Sequence, residues 1–300
     1  MNSWKRYIKE FVSYLKIERG LAENSIIAYQ QDVLKLAEYS EGKDIAPTDI
    51  QYKDLKNFIA VLYDLGLGAR SQARIISGIK QFYGYLLLEN ELKNDPSELL
   101  ELPKIGRKLP EVMSIEEIDL LLAAIDLSSN EGHRNKAILE TLYSCGLRVS
   151  ELVNLRFSDL YFEEGFIRVI GKGNKERLVP VSKTVEKEIK IYQDNYRIHK
   201  KIKVGDENTV FLNRRGAKLT RVMIFTIIKN LAEVSGLNKN ISPHTFRHSF
   251  ATHMIEGGAN LRAVQEMLGH ESITTTEIYT HLDQSFLRDA IMTHHPRNAL

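Results

Sequence analysis

One cysteine, Cys145, stands among 300 residues. An internal disulfide and any CxxC metal or redox motif are therefore excluded, and a reducing compartment, the cytoplasm, is the expected address. No run of about 18 apolar residues occurs, and the opening MNSWKRYIKEFVSYL lacks the apolar centre of a secretion signal. No membrane role is expected. Charge of one sign is scarce too: the formal net charge is +2, with 14 basic against 15 acidic residues up to residue 105 and 27 against 24 beyond it. Bulk charge alone does not mark a nucleic-acid binder. Local clusters such as Lys200-Lys201 or Arg214-Arg215 read first as solvated faces.

What is present is a composition of 43% hydrophobic and 27% charged residues, which argues against large-scale disorder. The length exceeds one typical domain of roughly 100 to 200 residues, so two cores are expected. In the first hundred residues Trp4, Ile8, Phe11, Val12 and Leu15 recur at helical spacing, a second helix is expected from near Ser25, and two more over Asp54–Leu65 and Gln72–Leu88. Two of the seven prolines, Pro103 and Pro110, bracket Lys104, Gly106, Arg107 and Lys108 and interrupt that periodicity. Ser114 with Glu117 then forms a capping-box pattern ahead of the apolar run Ile118–Ile125. The reading is a helical domain over 1–102, a linker over 103–110 and a second domain over 111–300.

Within the second domain, Ala137–Tyr143 reads as helix with Gly146 as its stop. Gly165–Ile170 and Arg177–Val181 alternate as strands around Gly171–Glu176, a hairpin pattern that puts Lys172 on its turn. From Thr220 onward the chain returns to helices, with stops at Gly236, Gly257-Gly258 and Gly269. The fold class expected is mainly α with a small β-sheet: an all-helical N-terminal domain followed by an α+β domain.

Four short segments of the second domain concentrate polar residues beside apolar ones. They are Cys145-Gly-Leu-Arg148-Val-Ser-Glu151, Gly171-Lys172-Gly173, His244-Thr-Phe-Arg247-His248, and Leu268-Gly-His270 followed by Thr276-Glu-Ile-Tyr279-Thr-His281. Singly each has a bland reading: an arginine paired with a nearby carboxylate, a lysine on a turn, a packed tyrosine. Taken together in this order, with the hairpin between the two arginines, the set resembles the tyrosine recombinase (phage integrase) family of site-specific DNA recombinases. The resemblance covers a catalytic domain over about 111–295 and extends to the N-terminal helices, which look like that family's SAM-like core-binding domain. The compact length and Arg247-His-Ser-Phe-Ala-Thr-His-Met254 are most similar to the bacterial Xer recombinases. The ending His294-His295-Pro296-Arg297 leans toward their XerD branch over XerC.

The resemblance implies roles for six residues. Arg148 and Arg247 match the arginines that grip the scissile phosphate, Lys172 the hairpin lysine, His244 and His270 the flanking histidines, and Tyr279 the nucleophile. Glu151 matches an accessory acidic position that orients Arg148. The chemistry suits these residue types. Negative charge grows on the non-bridging phosphate oxygens during attack, and preplaced guanidinium forks stabilise that state more than the ground state. Tyrosine, with an ordinary pKa of about 10, needs neighbouring imidazoles and cations to shed its proton. A 5′-oxygen leaves poorly unless protonated, and Lys172 on its turn is placed to serve as general acid.

The 3′-phosphotyrosyl ester keeps the energy of the broken linkage, so neither ATP nor a metal cofactor is expected. His244, His248, His253 and His270 read otherwise as a metal cluster, but thiolate pairs and an HExxH pattern are missing. His248 and His253 read as packing or surface groups, and His281 has no place in the motif. The resemblance implies duplex DNA held between the two domains, and a homo- or hetero-tetramer on two DNA sites with a second Xer recombinase. It also implies activation by a septal DNA translocase, and chromosome dimer resolution and segregation at cell division. Arg70, Arg74 and Lys80 on the fourth helix are candidate DNA contacts or a solvated face. The stripe Phe286, Leu287, Ala290, Ile291 and Met292 after Tyr279 serves either to cap its own core or, as the resemblance implies, as a subunit-docking helix. The alternatives are a mobile-element integrase, a type IB topoisomerase-like enzyme and a catalytically silent DNA-binding scaffold.

Overall fold

The computed structural model describes residues 3–106, 111–269 and 281–298, leaving out the side chains of Lys172, of 281–285 and of Asn298. The chain divides into two compact units, 1–108 and 109–300, with separate hydrophobic cores. Their architecture is mainly helical with one small sheet. No described helix is long and apolar enough to cross a membrane.

The first unit contains α1 (Ser3–Ile17), α2 (Glu23–Glu41), α3 (Tyr52–Asp64) and α4 (Ala69–Leu88). The periodic residues of α1, Trp4, Ile8, Phe11 and Leu15, all face inward, where Phe82 of α4 stacks on Trp4 and meets Phe11 edge-on. Asp32 of α2 is fully buried beside α4 and accepts a 2.6 Å hydrogen bond from Arg74 Nη1. Burial raises its carboxyl, and the Arg74 charge and hydrogen bond offset only part of that rise. Of the three cations expected to meet DNA or solvent on this helix, Arg74 is thus tied internally, and Lys80 donates to the Glu98 carbonyl at 3.1 Å.

In the second unit, α5 (Ile115–Ala123) opens with the expected reciprocal Ser114/Glu117 capping box. It is followed by α6 (Gly132–Ser144), α7 (Val149–Asn154), β1 (Leu160–Tyr161), β2 (Phe166–Ile170) and β3 (Glu176–Pro180). The strands form an antiparallel sheet in the order β1-β2-β3, with Val169 opposite Arg177. Gly171 N–H donates to the Lys175 carbonyl at 2.8 Å, closing a hairpin whose turn carries Lys172–Asn174 as a 3-10 turn. The chain then runs through α8 (Lys183–Tyr192), α9 (Arg221–Val234), α10 (Pro243–Glu256), α11 (Leu261–Leu268) and α12 (His281–His294).

On α12, Leu287, Ala290 and Ile291 are buried in this chain's own core, whereas Phe286 and Met292 of the same stripe are exposed. In the single chain, then, the helix meets the own-core alternative. Beyond it, His295 is buried against Tyr143 and Phe250.

Candidate active site

The site grows from the ends of two helices. α6 stops at Gly146, whose φ of +57° suits glycine. A Cβ added there would lie 2.5 Å from the Phe250 ring. This close approach lets α10 pack against the end of α6 and puts Arg148, two residues on, at the N-cap of α7. α11 stops at Leu268 with Gly269 in the left-handed region, at φ +64°.

The last carbonyls of α11 are unsatisfied within the helix and carry the negative end of its dipole. Three successive ones each accept from a different arginine. Met267 accepts from Arg177 Nε at 2.7 Å, Leu268 from Arg247 Nη2 in a short hydrogen bond, and Gly269 from Arg148 Nη2 at 3.1 Å. Arg247 also donates Nη1 to the Gly146 carbonyl at 2.8 Å, so it bridges the two helix ends.

Glu151 supplies the counter-charge and is almost fully buried. Its carboxylate accepts from the Arg148 backbone N–H at 2.8 Å and from Arg148 Nη1 at 2.9 Å. Arg177 grips it bidentately, with Nη1 and Nη2 each at 2.8 Å. Burial alone would raise the carboxyl. The Arg177 hydrogen bonds and charge, with the Arg148 donors, outweigh burial and hold it below the usual carboxylate range. Arg247 is lowered to about 10, first by burial and then by the like charge of Arg148. Arg148 and Arg177 thus share the Glu151 carboxylate while Arg247 holds only backbone carbonyls, and among the described residues of this cluster the surplus positive charge calls for an anion. Arg148 faces it most openly, its side chain one-third exposed (33%).

Of the sequence candidates, Arg148, Glu151 and Arg247 come together in this cluster. Lys172 lies on the adjoining hairpin turn, and a Cβ added at Gly171 would sit 3.6 Å from both Glu151 Oε1 and Arg177 Nη1. His244 is exposed in the first turn of α10, three residues before the buried Arg247. His270 and Tyr279 lie outside the described residues. His248 is exposed on α10. His253 is nearly buried and its Nδ1 meets the Tyr143 hydroxyl of α6 at 2.8 Å, a helix-to-helix hydrogen bond. The residue missed by sequence reasoning is Arg177. Its signal was available: it shares the inward face of β3 with Val179, an unusual place for an arginine without a buried partner.

The sequence matches the phage integrase family over residues 111–285 and the phage integrase N-terminal SAM-like domain over residues 8–90. It is 43% identical over 291 residues to the tyrosine recombinase XerD of Staphylococcus haemolyticus, covering 97% of this chain and 98% of that one. It is also 43% identical over 297 residues to the tyrosine recombinase XerD of Chlorobaculum tepidum, covering 98% and 97%. Among solved structures it is similar to a XerH site-specific recombinase in a post-cleavage complex with a palindromic difH substrate. Identity there is 27%, the TM-score is 0.68, and coverage is 95% of this chain and 84% of that one. A lambda integrase dimer bound to a COC′ core site, 16% identical with a TM-score of 0.70 over 92% of this chain and 99% of that one, shares the fold. With both units matched and relatives aligned over nearly their full length, this chain belongs to the phage integrase family, the tyrosine recombinases, which are DNA-cleaving and rejoining enzymes.

Proposed function

We propose that the chain recombines DNA at specific sites through a 3′-phosphotyrosyl intermediate formed on Tyr279. The single observation that supports this reading most is the convergence of Arg148 and Arg247 on the ends of α6 and α11, with more guanidinium charge than Glu151 neutralises. A scissile phosphate seated there receives donors on its non-bridging oxygens as charge develops. In this reading the Tyr279 oxygen attacks phosphorus, His244 and His270 help remove its proton, and Lys172 delivers a proton to the departing 5′-oxygen. One ester replaces another, so the linkage energy is conserved and the step reverses when a 5′-hydroxyl from a second strand attacks. No ATP or metal is required by that balance.

The biological assignment rests on the resemblance to the Xer recombinases. We infer that the protein resolves chromosome dimers for segregation at cell division in the cytoplasm. It would act on duplex DNA as a tetramer over two sites, with a second Xer recombinase and a septal translocase as activator. The domain over 1–102 serves as the core-binding domain and the exposed Phe286 and Met292 of α12 as the contact for a neighbouring subunit. A nicked synthetic site bound by the protein tests the chemistry. Wild type is expected to form a denaturant-resistant adduct and Tyr279→Phe none. An adduct with Tyr279→Phe contradicts the nucleophile, and no wild-type adduct on any bound site, partner included, favours the silent scaffold.

A further inference from the structure

The geometry points to Arg177 as a positioning residue for Arg148, an inference that rests on the recombinase reading above. Arg177 spends its fork on Glu151 and its Nε on the Met267 carbonyl. It is almost wholly buried, so it holds other groups in place and does not grip substrate. The effect follows from how a carboxylate divides between two guanidinium groups. A lone buried Glu151 facing Arg148 would be expected to capture it bidentately, the strongest arrangement open to such a pair. That capture would draw Arg148 away from any phosphate. Because Arg177 occupies both carboxylate oxygens, Arg148 keeps only Nη1 on Oε1 and directs Nη2 to the Gly269 carbonyl.

The same side chain ties three elements together. Arg177 belongs to β3, its Nε holds the last turn of α11, and the Glu151 it grips lies on α7. The hairpin turn bearing Lys172 leads directly into β3 and Arg177, and a Cβ added at Gly171 would come within 3.6 Å of both members of the ion pair. The general acid and the phosphate-gripping arginine are therefore referenced to one buried fork, and a displacement of about 1 Å at such a site is enough to cost roughly a hundredfold in rate.

The test compares single-turnover cleavage of a nicked site by wild type, Arg177→Met, Arg177→Lys and Arg177→Met with Glu151→Gln. Each is run on an ordinary scissile phosphate and on a neutral methylphosphonate at the same position. Arg177→Met is expected to cleave the phosphodiester at least about tenfold more slowly, with DNA affinity within about threefold of wild type. On the methylphosphonate the deficit shrinks, because the charge that Arg148 serves is gone. Adding Glu151→Gln recovers part of the rate by weakening the grip on Arg148. Arg177→Lys keeps the charge but not the fork and falls between; it carries the test if the Met variant lacks a native melting transition. Cleavage at the wild-type rate, or an equal deficit on both substrates, overturns the positioning role while leaving the recombinase reading intact. Absence of any wild-type adduct overturns both.

Discussion

Arg247 is the more enclosed of the two candidate phosphate-gripping arginines, 9% exposed, with two of its donors fixed on the Gly146 and Leu268 carbonyls. A lysine has no planar fork to span those carbonyls and still meet a phosphate. Arg247→Lys is therefore expected to slow single-turnover adduct formation about a hundredfold; a loss under threefold at saturating protein contradicts the assignment. Cys145 illustrates the opposite case, a residue beside the site that takes no part in it. Burial pushes its thiol up to about 12, so the native protein is expected to resist thiol-alkylating reagents that label it rapidly once denatured. His295 links this corner of the fold to pH. Burial holds its imidazole down at about 3 against an ordinary 6.5. Below 6.5 the unfolded chain takes up a proton there that the folded chain refuses, so stability falls as pH drops from 6.5 toward 3, by up to about 1.4 kcal/mol per unit. Urea unfolding at about pH 7 and pH 5.5 checks this, with His295→Phe expected to show the shallower loss.

The hairpin, its lysine turn and the glycine stops of α6 and α11 were legible in the sequence because each is written in adjacent residues: alternation, a Gly-Lys-Gly turn, a glycine after an apolar run. The arginine fan was not, because its partners are far apart along the chain. Arg177 meets Glu151 across 26 residues and Met267 across 90, and no local pattern encodes such a meeting. The element that organises the fan is the C-terminus of α11, and Gly269 sets its shape. A side chain at φ +64° strains the backbone by about 1 to 2 kcal/mol. Its Cβ would also stand 3.2 to 3.3 Å from the Arg177 side chain. Gly269→Ala is expected to lower the melting temperature by a few degrees and to reduce cleavage more than DNA binding, measured on the same nicked site. Unchanged cleavage would show that α11 does not set the arginines.

At the scale of the whole chain, helical periodicity exposed the four-helix unit, down to the inward stripe of α1. The stripe of α12 was equally visible, but an apolar helix face reads alike whether its own core or a neighbouring subunit covers it. Only the fold places Leu287, Ala290 and Ile291 in the chain's own core. The two cores share no residue, so limited proteolysis within 103–110 is expected to release two fragments that each melt cooperatively; one fragment unfolded on release contradicts independent cores. The reaction itself is tested most directly on the trapped complex. Protease digestion and mass spectrometry of the adduct are predicted to find the DNA joined by its 3′-phosphate to the peptide containing Tyr279, with a free 5′-hydroxyl on the released strand. A linkage to any other residue, or a 5′-phosphoryl attachment, contradicts the account.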